Sequence, residues 1–299
     1  PTMPISLAAD ERAVVLIRIR SETSIDWPVV IRSSQAFNYK LNKVIATEML
    51  FYGLLLSLFL SQASQFLLTR QSALSWYSLT VIATIFFFAT VTGTGTIYVW
   101  HQWGDFSRDS MVYSFVLLLF SLTHLGNVML GLRNRSVKWY QTFRWLAWGS
   151  FIWVANLYVF GYKFSMIGSM LYGTVVTSIM LIVAAIDWIR GNREAKFFIY
   201  AWGLFIVTGI VFMSMKLGWI SFSFSIRQLM QLSAIMQLCV FYYWLAQEQK
   251  SKIDNIILAK DSAIQDQIDN LSNGDGFTQQ DSLSKGDGFL SNDDEQQSV

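Results

Sequence analysis

A chain of 299 residues that is 53% hydrophobic and only 14% charged, with twelve tryptophans, is too apolar for an ordinary soluble domain. Its net charge of +2 comes from basic residues scattered between apolar runs, which excludes a nucleic-acid-binding stripe. The single cysteine, Cys239, excludes an internal disulfide and a cysteine metal cluster.

Residues 1–40 differ in character from the rest of the chain. Val14-Val15-Leu16-Ile17-Arg18-Ile19-Arg20 and Trp27-Pro28-Val29-Val30-Ile31-Arg32 are β-branched, alternating runs, which predict two paired strands. Forty residues bury little core, so these strands are expected to close a larger β domain whose earlier part precedes Pro1. The chain starts without Met or a basic-then-apolar leader, which fits a fragment of a longer exported protein.

Between residues 41 and 246 the pattern changes to apolar stretches of roughly twenty residues, the length a helix needs to cross about 30 Å of hydrocarbon. Seven spans are predicted, near 44–68, 75–100, 111–132, 145–160, 166–189, 197–215 and 228–246. The fold expected is therefore an all-α membrane protein, a seven-transmembrane helix bundle preceded by the last strands of a β domain. The loops set its direction, because Lys and Arg near span ends stay on the cytoplasmic side. One set of loops carries Arg70, Arg133, Arg135, Lys138, Arg144, Arg190, Arg193, Lys196, Lys250, Lys252 and Lys260, about eleven cations; the other carries about six. That asymmetry places the N-terminus outside and the C-terminus in the cytoplasm. Trp76, Trp100, Trp103, Trp139, Trp145, Trp188, Trp219 and Trp244 fall near predicted span ends, where amphipathic rings settle.

Beyond the seventh span, residues 247–271 are polar with Ile257, Ile264 and Leu271 every seven residues, which predicts a helical extension and a short coiled coil. A plain amphipathic helix is the alternative. The Ser, Gly, Asp and Gln-rich tail over 272–299 is expected to be disordered. Its Asp-Gly pairs lack the acidic ligands and final Glu of a calcium loop.

Ionisable groups inside a membrane are costly and face a partner or a cavity, so His124, Asn127 and Glu48 are the candidate ligand-binding residues, with Asp187 beside them. Glu48 and Asp187 lie near span ends, where snorkelling or pairing with loop cations is the favoured explanation of them. His124 lies well inside a span, where it lines a ligand pocket or bonds to a neighbouring helix. Two histidines, His101 and His124, are too few for a metal site without carboxylates at matching depth, and the seventh span has no Lys for a retinal Schiff base. No catalytic residue, metal or cofactor is expected. Ser165, Ser169, Gly173 and Thr177 recur every four residues, a small-residue face for close packing within the bundle or between protomers.

Phe51-Tyr52-Gly53 early in the first span, Trp76-Tyr77 opening the second and Thr92-Gly93-Thr94-Gly95 with Tyr98-Val99-Trp100 closing it form an ordered series. With Ala195-Lys196-Phe197-Phe198-Ile199-Tyr200-Ala201-Trp202 opening the sixth span, this order and spacing resemble the bacterial seven-transmembrane receptors with diverse intracellular signalling modules. The resemblance implies an exported jelly-roll, carbohydrate-binding domain ahead of the bundle and a cytoplasmic effector behind it. It assigns no catalytic residue to the bundle. This chain shows no effector domain of its own, so the expectation is a sensory receptor in the bacterial inner membrane, with a periplasmic N-terminus. It would detect an extracytoplasmic small-molecule or carbohydrate ligand and signal to a separate cytoplasmic protein, with a homodimer as a further possibility. A small-solute transporter is the alternative, and a membrane-embedded enzyme the third.

Overall fold

The computed structural model describes residues 33–216 and 224–284, together with Val14 and Trp219. The two expected strands, over 14–20 and 27–32, lie outside the described residues apart from Val14, and so does the tail over 285–299. Among the described residues every regular element is an α-helix. They are α1 (Ser34–Thr69), α2 (Ser72–Thr92), α3 (Thr94–Tyr98), α4 (Asp105–Met129) and α5 (Leu132–Arg135), then α6 (Val137–Gly149), α7 (Ile152–Phe160), α8 (Tyr162–Ile189), α9 (Arg193–Lys216) and α10 (Phe224–Ser284). Helix occupies each stretch where a span is predicted. Five of these helices, α1, α2, α4, α8 and α10, are long and apolar enough to cross a membrane, and α9 carries a shorter apolar stretch over Ala195–Val211.

The three prolines all lie before residue 29, so no pyrrolidine ring interrupts helical bonding from Ser34 onward and the breaks are made by other means. The first helix starts earlier than expected. The Ser33 hydroxyl accepts from the Ala36 N–H at 3.3 Å, a capping bond that begins α1 at Ser34. Residues 34–40, assigned to the β domain on composition, are therefore helical. A polar N-terminal turn carries no membrane signature, and the cap alone marks it. At the other end Arg70 takes a left-handed conformation, φ 53°, and its N–H closes on the Phe66 carbonyl at 2.8 Å.

The second predicted span, 75–100, is shorter than expected, because α2 stops at Thr92. Gly93 adopts φ 77°, which glycine tolerates without a Cβ penalty, and α3 continues beyond it as a separate short turn. The fourth span is divided. The Ser150 N–H bonds to the Ala147 carbonyl at 3.2 Å and the Phe151 N–H to Trp148 at 3.1 Å, three-residue bonds that tighten the chain between α6 and α7. That leaves the Leu146 carbonyl to another donor, and Tyr172 of α8 supplies it at 2.6 Å.

Up to Tyr242 the helices form one compact body. Helix α4 sits at its centre, packed against α2, α6, α7, α8 and α9, with 67% of its most apolar stretch buried against 17% for α1. Leu50, Leu54, Leu60 and Leu67 of α1 and Ile167, Leu171, Val175 and Ile182 of α8 point outward, as lipid-facing side chains do. The small-residue face of α8 points inward: Ser165, Ser169 and Gly173 are buried, and a Cβ on Gly173 would stand 2.7 Å from the Phe115 ring of α4. The close-packing stripe is thus used within the bundle.

From Tyr243 the chain forms a second unit, the rest of α10. Gln247 bonds the Tyr243 hydroxyl at 2.8 Å and Lys252 pairs with Glu248 at 2.6 Å, one helical turn apart. The helix runs past Leu271 to Ser284, so residues 272–284, expected to be disordered, are helical. Composition reports how little apolar surface this stretch buries, whereas extending an existing helix needs no new nucleus. Gly274 and Gly276 still weaken it, by about 1 kcal/mol each relative to alanine.

Candidate functional site

The sequence-derived candidates do not converge. Glu48 on α1 is buried, and its Oε2 accepts a hydrogen bond from Gln231 Nε2 of α10 at 3.0 Å. One turn along, Phe51 packs edge-on against Phe88 near the end of α2, with ring centroids 5.0 Å apart. His124 on α4 instead stacks on Trp76 at the start of α2, 4.1 Å between centroids and 10° between planes, with Phe120 edge-on at 4.7 Å. Phe88 and Trp76 are twelve residues apart on one helix, about 18 Å of rise, so Glu48 and His124 mark opposite ends of the bundle.

His124 Nε2, both side-chain polar atoms of Asn127 and Oδ2 of Asp187 are buried without a hydrogen-bond partner among the described residues. The imidazole ring is held by its contacts with Trp76 and Phe120, and no hydrogen bond joins it to Asn127 or Asp187. His101 is exposed, and no group of three His, Cys, Asp or Glu side chains among the described residues stands close enough to hold a metal ion.

Several of the hydrogen bonds that link helices converge on α10. Besides Gln231 with Glu48, Ser233 Oγ meets Thr208 Oγ1 of α9 at 2.7 Å, and the buried Tyr77 hydroxyl of α2 donates to the Leu238 carbonyl at 3.1 Å. Tyr242 and Ser61 of α1 meet more loosely at 3.4 Å. Such bonds between membrane helices are each worth about 0.6 kcal/mol, so their value here is positional. Gln231, Ser233 and Thr208 escaped sequence reading because a single neutral polar residue in an apolar span carries little signal, while Tyr77 was marked only as part of the Trp76-Tyr77 pair that opens the second span. For Gln231 and Ser233 the one cue is the number of polar residues in the seventh span, where Gln231, Ser233 and Gln237 are all buried.

Two spaces border α10. Between α1 and α10, beside the Glu48–Gln231 pair, runs a laterally open groove of about 420 Å³, walled by Thr47, Leu50, Phe51, Gln228 and Leu232. Its size is that of a small-molecule site. Deeper in, Thr84, Phe88, Phe205 and Gln237 enclose about 10 Å³, room for about one water, and Gln237 Nε2 there lacks a partner among the described residues.

The glycine-rich run near the end of α2 is a clamp and not a phosphate loop. Tyr52 of α1 bonds Thr92 Oγ1 at 3.2 Å and Thr94 Oγ1 at 2.9 Å across the Gly93 break, and Thr92 meets Thr94 at 3.0 Å. The Trp100 indole folds over Gly95, where any Cβ would collide with it. The residues Tyr52, Thr92, Gly93, Thr94, Gly95 and Trp100 that shape the sequence resemblance are therefore one structural device joining α1 to the end of α2.

No curated protein and no solved structure matches this chain. A family model described as 7TM diverse intracellular signalling matches residues 45–248, from the early turns of α1 to just past the division within α10. With its apolar helices and this match over most of its length, the chain belongs to the 7TM diverse intracellular signalling family of multi-pass membrane proteins.

Proposed function

We propose that the protein is a sensory receptor of the bacterial inner membrane that crosses the bilayer seven times, with its N-terminus periplasmic and its C-terminus cytoplasmic. In this reading α6 and α7 together make the fourth crossing and α9 the sixth. An extracytoplasmic ligand, carbohydrate-like in the reading taken from the family, acts through a β domain ahead of α1. The change passes through the bundle to α10 and on to a separate cytoplasmic signalling protein. The chain itself catalyses no reaction.

The observation that carries this reading is the bonding of α10. Its membrane-length segment is tied to α1, α2 and α9 by Gln231, Leu238 and Ser233, and the same helix continues to Ser284. A shift of α1 that breaks the Glu48–Gln231 bond changes the packing of the helix whose later residues form the second unit. Reception requires that the ligand bind the two packings with different affinity.

Transport is the second reading, favoured by the breaks at Gly93 and Ser150, since discontinuous helices line many transporter sites. Both breaks are filled, however, by Tyr52 and by Tyr172. Membrane-impermeant labelling of single cysteines in spheroplasts tests the topology: Lys43→Cys is labelled and Ser251→Cys is protected. The reverse pattern refutes the orientation. Proteoliposomes that take up a sugar or amino acid where empty liposomes do not would replace reception by transport.

A further inference from the structure

The unit after Tyr242 carries a row of isoleucines on one side of α10: Ile253, Ile257, Ile264 and Ile268 are 57%, 51%, 55% and 53% exposed. At about 100° per residue the four lie within about 60° of one another. Ile253 and Ile264 are eleven residues apart, as are Ile257 and Ile268, and each such step turns only about 20° past three full turns, so the row stays on one side of the helix. Around them stand Lys250, Lys252, Asp254, Lys260, Asp261, Asp266 and Asp269, a density of charge that a lipid environment would not accept. The row therefore faces water, and half-exposed branched aliphatics in a line are a surface awaiting a partner.

The charges beside the row indicate which partner. Measured from the centre of the isoleucine row, Lys260 lies about 50° to one side and Asp261 about 50° to the other, at nearly the same height. A cation on one side of the row and an anion on the other at the same height make the helix complementary to itself at that level under a two-fold axis. In a parallel pair, Lys260 of each helix faces Asp261 of the partner subunit. Antiparallel pairing is excluded for two copies inserted the same way in one membrane, because both extensions leave it on the same side.

From this we infer that the isoleucine row is the seam of a parallel two-stranded coiled coil between two copies of this chain, with Lys260 and Asp261 setting its register. Four isoleucines make a weak coil for free peptides. Two chains held in one membrane meet at a high effective concentration, and a short seam then suffices. The inference is independent of the ligand and of the receptor reading, since it requires only that the extension leave the membrane.

Cysteine crosslinking of the full chain in native membranes tests it. On a Cys239→Ser background, single cysteines replace Ile253, Ile257, Ile264 and Ile268 in the seam and Asn255 and Ser262 on the opposite side, and copper phenanthroline supplies the oxidant. Disulfide-linked dimers are expected at the four seam positions and lost at the other two. Equal crosslinking on both sides, no dimer at any seam position, or seam cysteines trapped on a different protein each overturn the proposal. Charge exchange tests the register: Lys260→Asp and Asp261→Lys each lower crosslinking at Ile264→Cys about threefold, and the double exchange restores it. A double variant as weak as the singles refutes the pairing.

Discussion

Replacing Tyr172 by phenylalanine removes one oxygen atom and nothing else, and it isolates what holds the divided fourth span in place. The Leu146 carbonyl has lost its usual helical donor, because the Ser150 N–H turns to Ala147, and the Tyr172 hydroxyl at 2.6 Å takes over. In water a solvent molecule would replace that hydroxyl; in a bilayer the carbonyl stays bare. The loss expected for Tyr172→Phe is about 1–2 kcal/mol, between the average bond linking membrane helices and the full cost of an unsatisfied buried acceptor. That shifts the folded-to-unfolded ratio about fivefold to thirtyfold. Gly149→Ala is the companion variant, since a Cβ there would stand 2.6 Å from the Tyr172 oxygen and push it off the carbonyl. If both act on the same bond, alanine at Gly149 costs markedly less in the phenylalanine background than in the wild type. SDS titration of the protein in mixed micelles, followed by tryptophan fluorescence, measures all four members of the cycle. A Tyr172→Phe protein as stable as the wild type, or strictly additive costs, would show that the break is held by side-chain packing alone and refute the argument.

Gly93→Ala meets nothing within 4 Å but must adopt φ 77°, so it should cost about 1–2 kcal/mol from backbone strain alone, while Gly53→Ala, equally unhindered and within α1, should be neutral or stabilising; their unfolding midpoints compare the two directly. Thr208→Val and Ser233→Ala should each cost about 0.6 kcal/mol and together little more, because they share one 2.7 Å bond, and the same titration reads this non-additivity. His124→Leu should destabilise by about 0.5–1.5 kcal/mol through the lost stack on Trp76 and leave signalling output intact; a folded variant with abolished output would make His124 a functional residue. Gln231→Leu should separate α1 from α10, read as a longer distance between spin labels at Thr47 and Gln228, and an unchanged distance would show that the bond to Glu48 does not hold the two helices together.

What could be read from the residues alone was whatever repeats along one chain segment. Apolar length placed α2, α4 and α8 to within a few residues at most ends, because the cost of exposing polar backbone to hydrocarbon is a property of each stretch taken singly. The row of isoleucines on α10 was legible as periodicity, although the heptad from Ile257 accounts for fewer of its members than the eleven-residue spacing. Helix starts in polar sequence, such as Ser34, were not legible, since a single capping hydroxyl decides them. Nor was the break at Ser150, where a tyrosine from another helix takes the freed carbonyl, whereas the glycines of Gly93-Thr94-Gly95 did mark an interruption late in the second span.

The sequence by itself determined that the chain is a multi-pass membrane protein and which residues bear charge within it, because transfer from water to lipid is additive over local sequence. Only the tertiary structure decided what those residues touch. Glu48 and Gln231 are 183 positions apart and meet because α1 lies beside α10, while His124 and Glu48, the two most conspicuous candidates, are held at opposite ends of α2. Hydrogen bonds and ring contacts act over a few ångströms, so they depend on the packing of helices against one another, and that packing is written in no single segment of the chain.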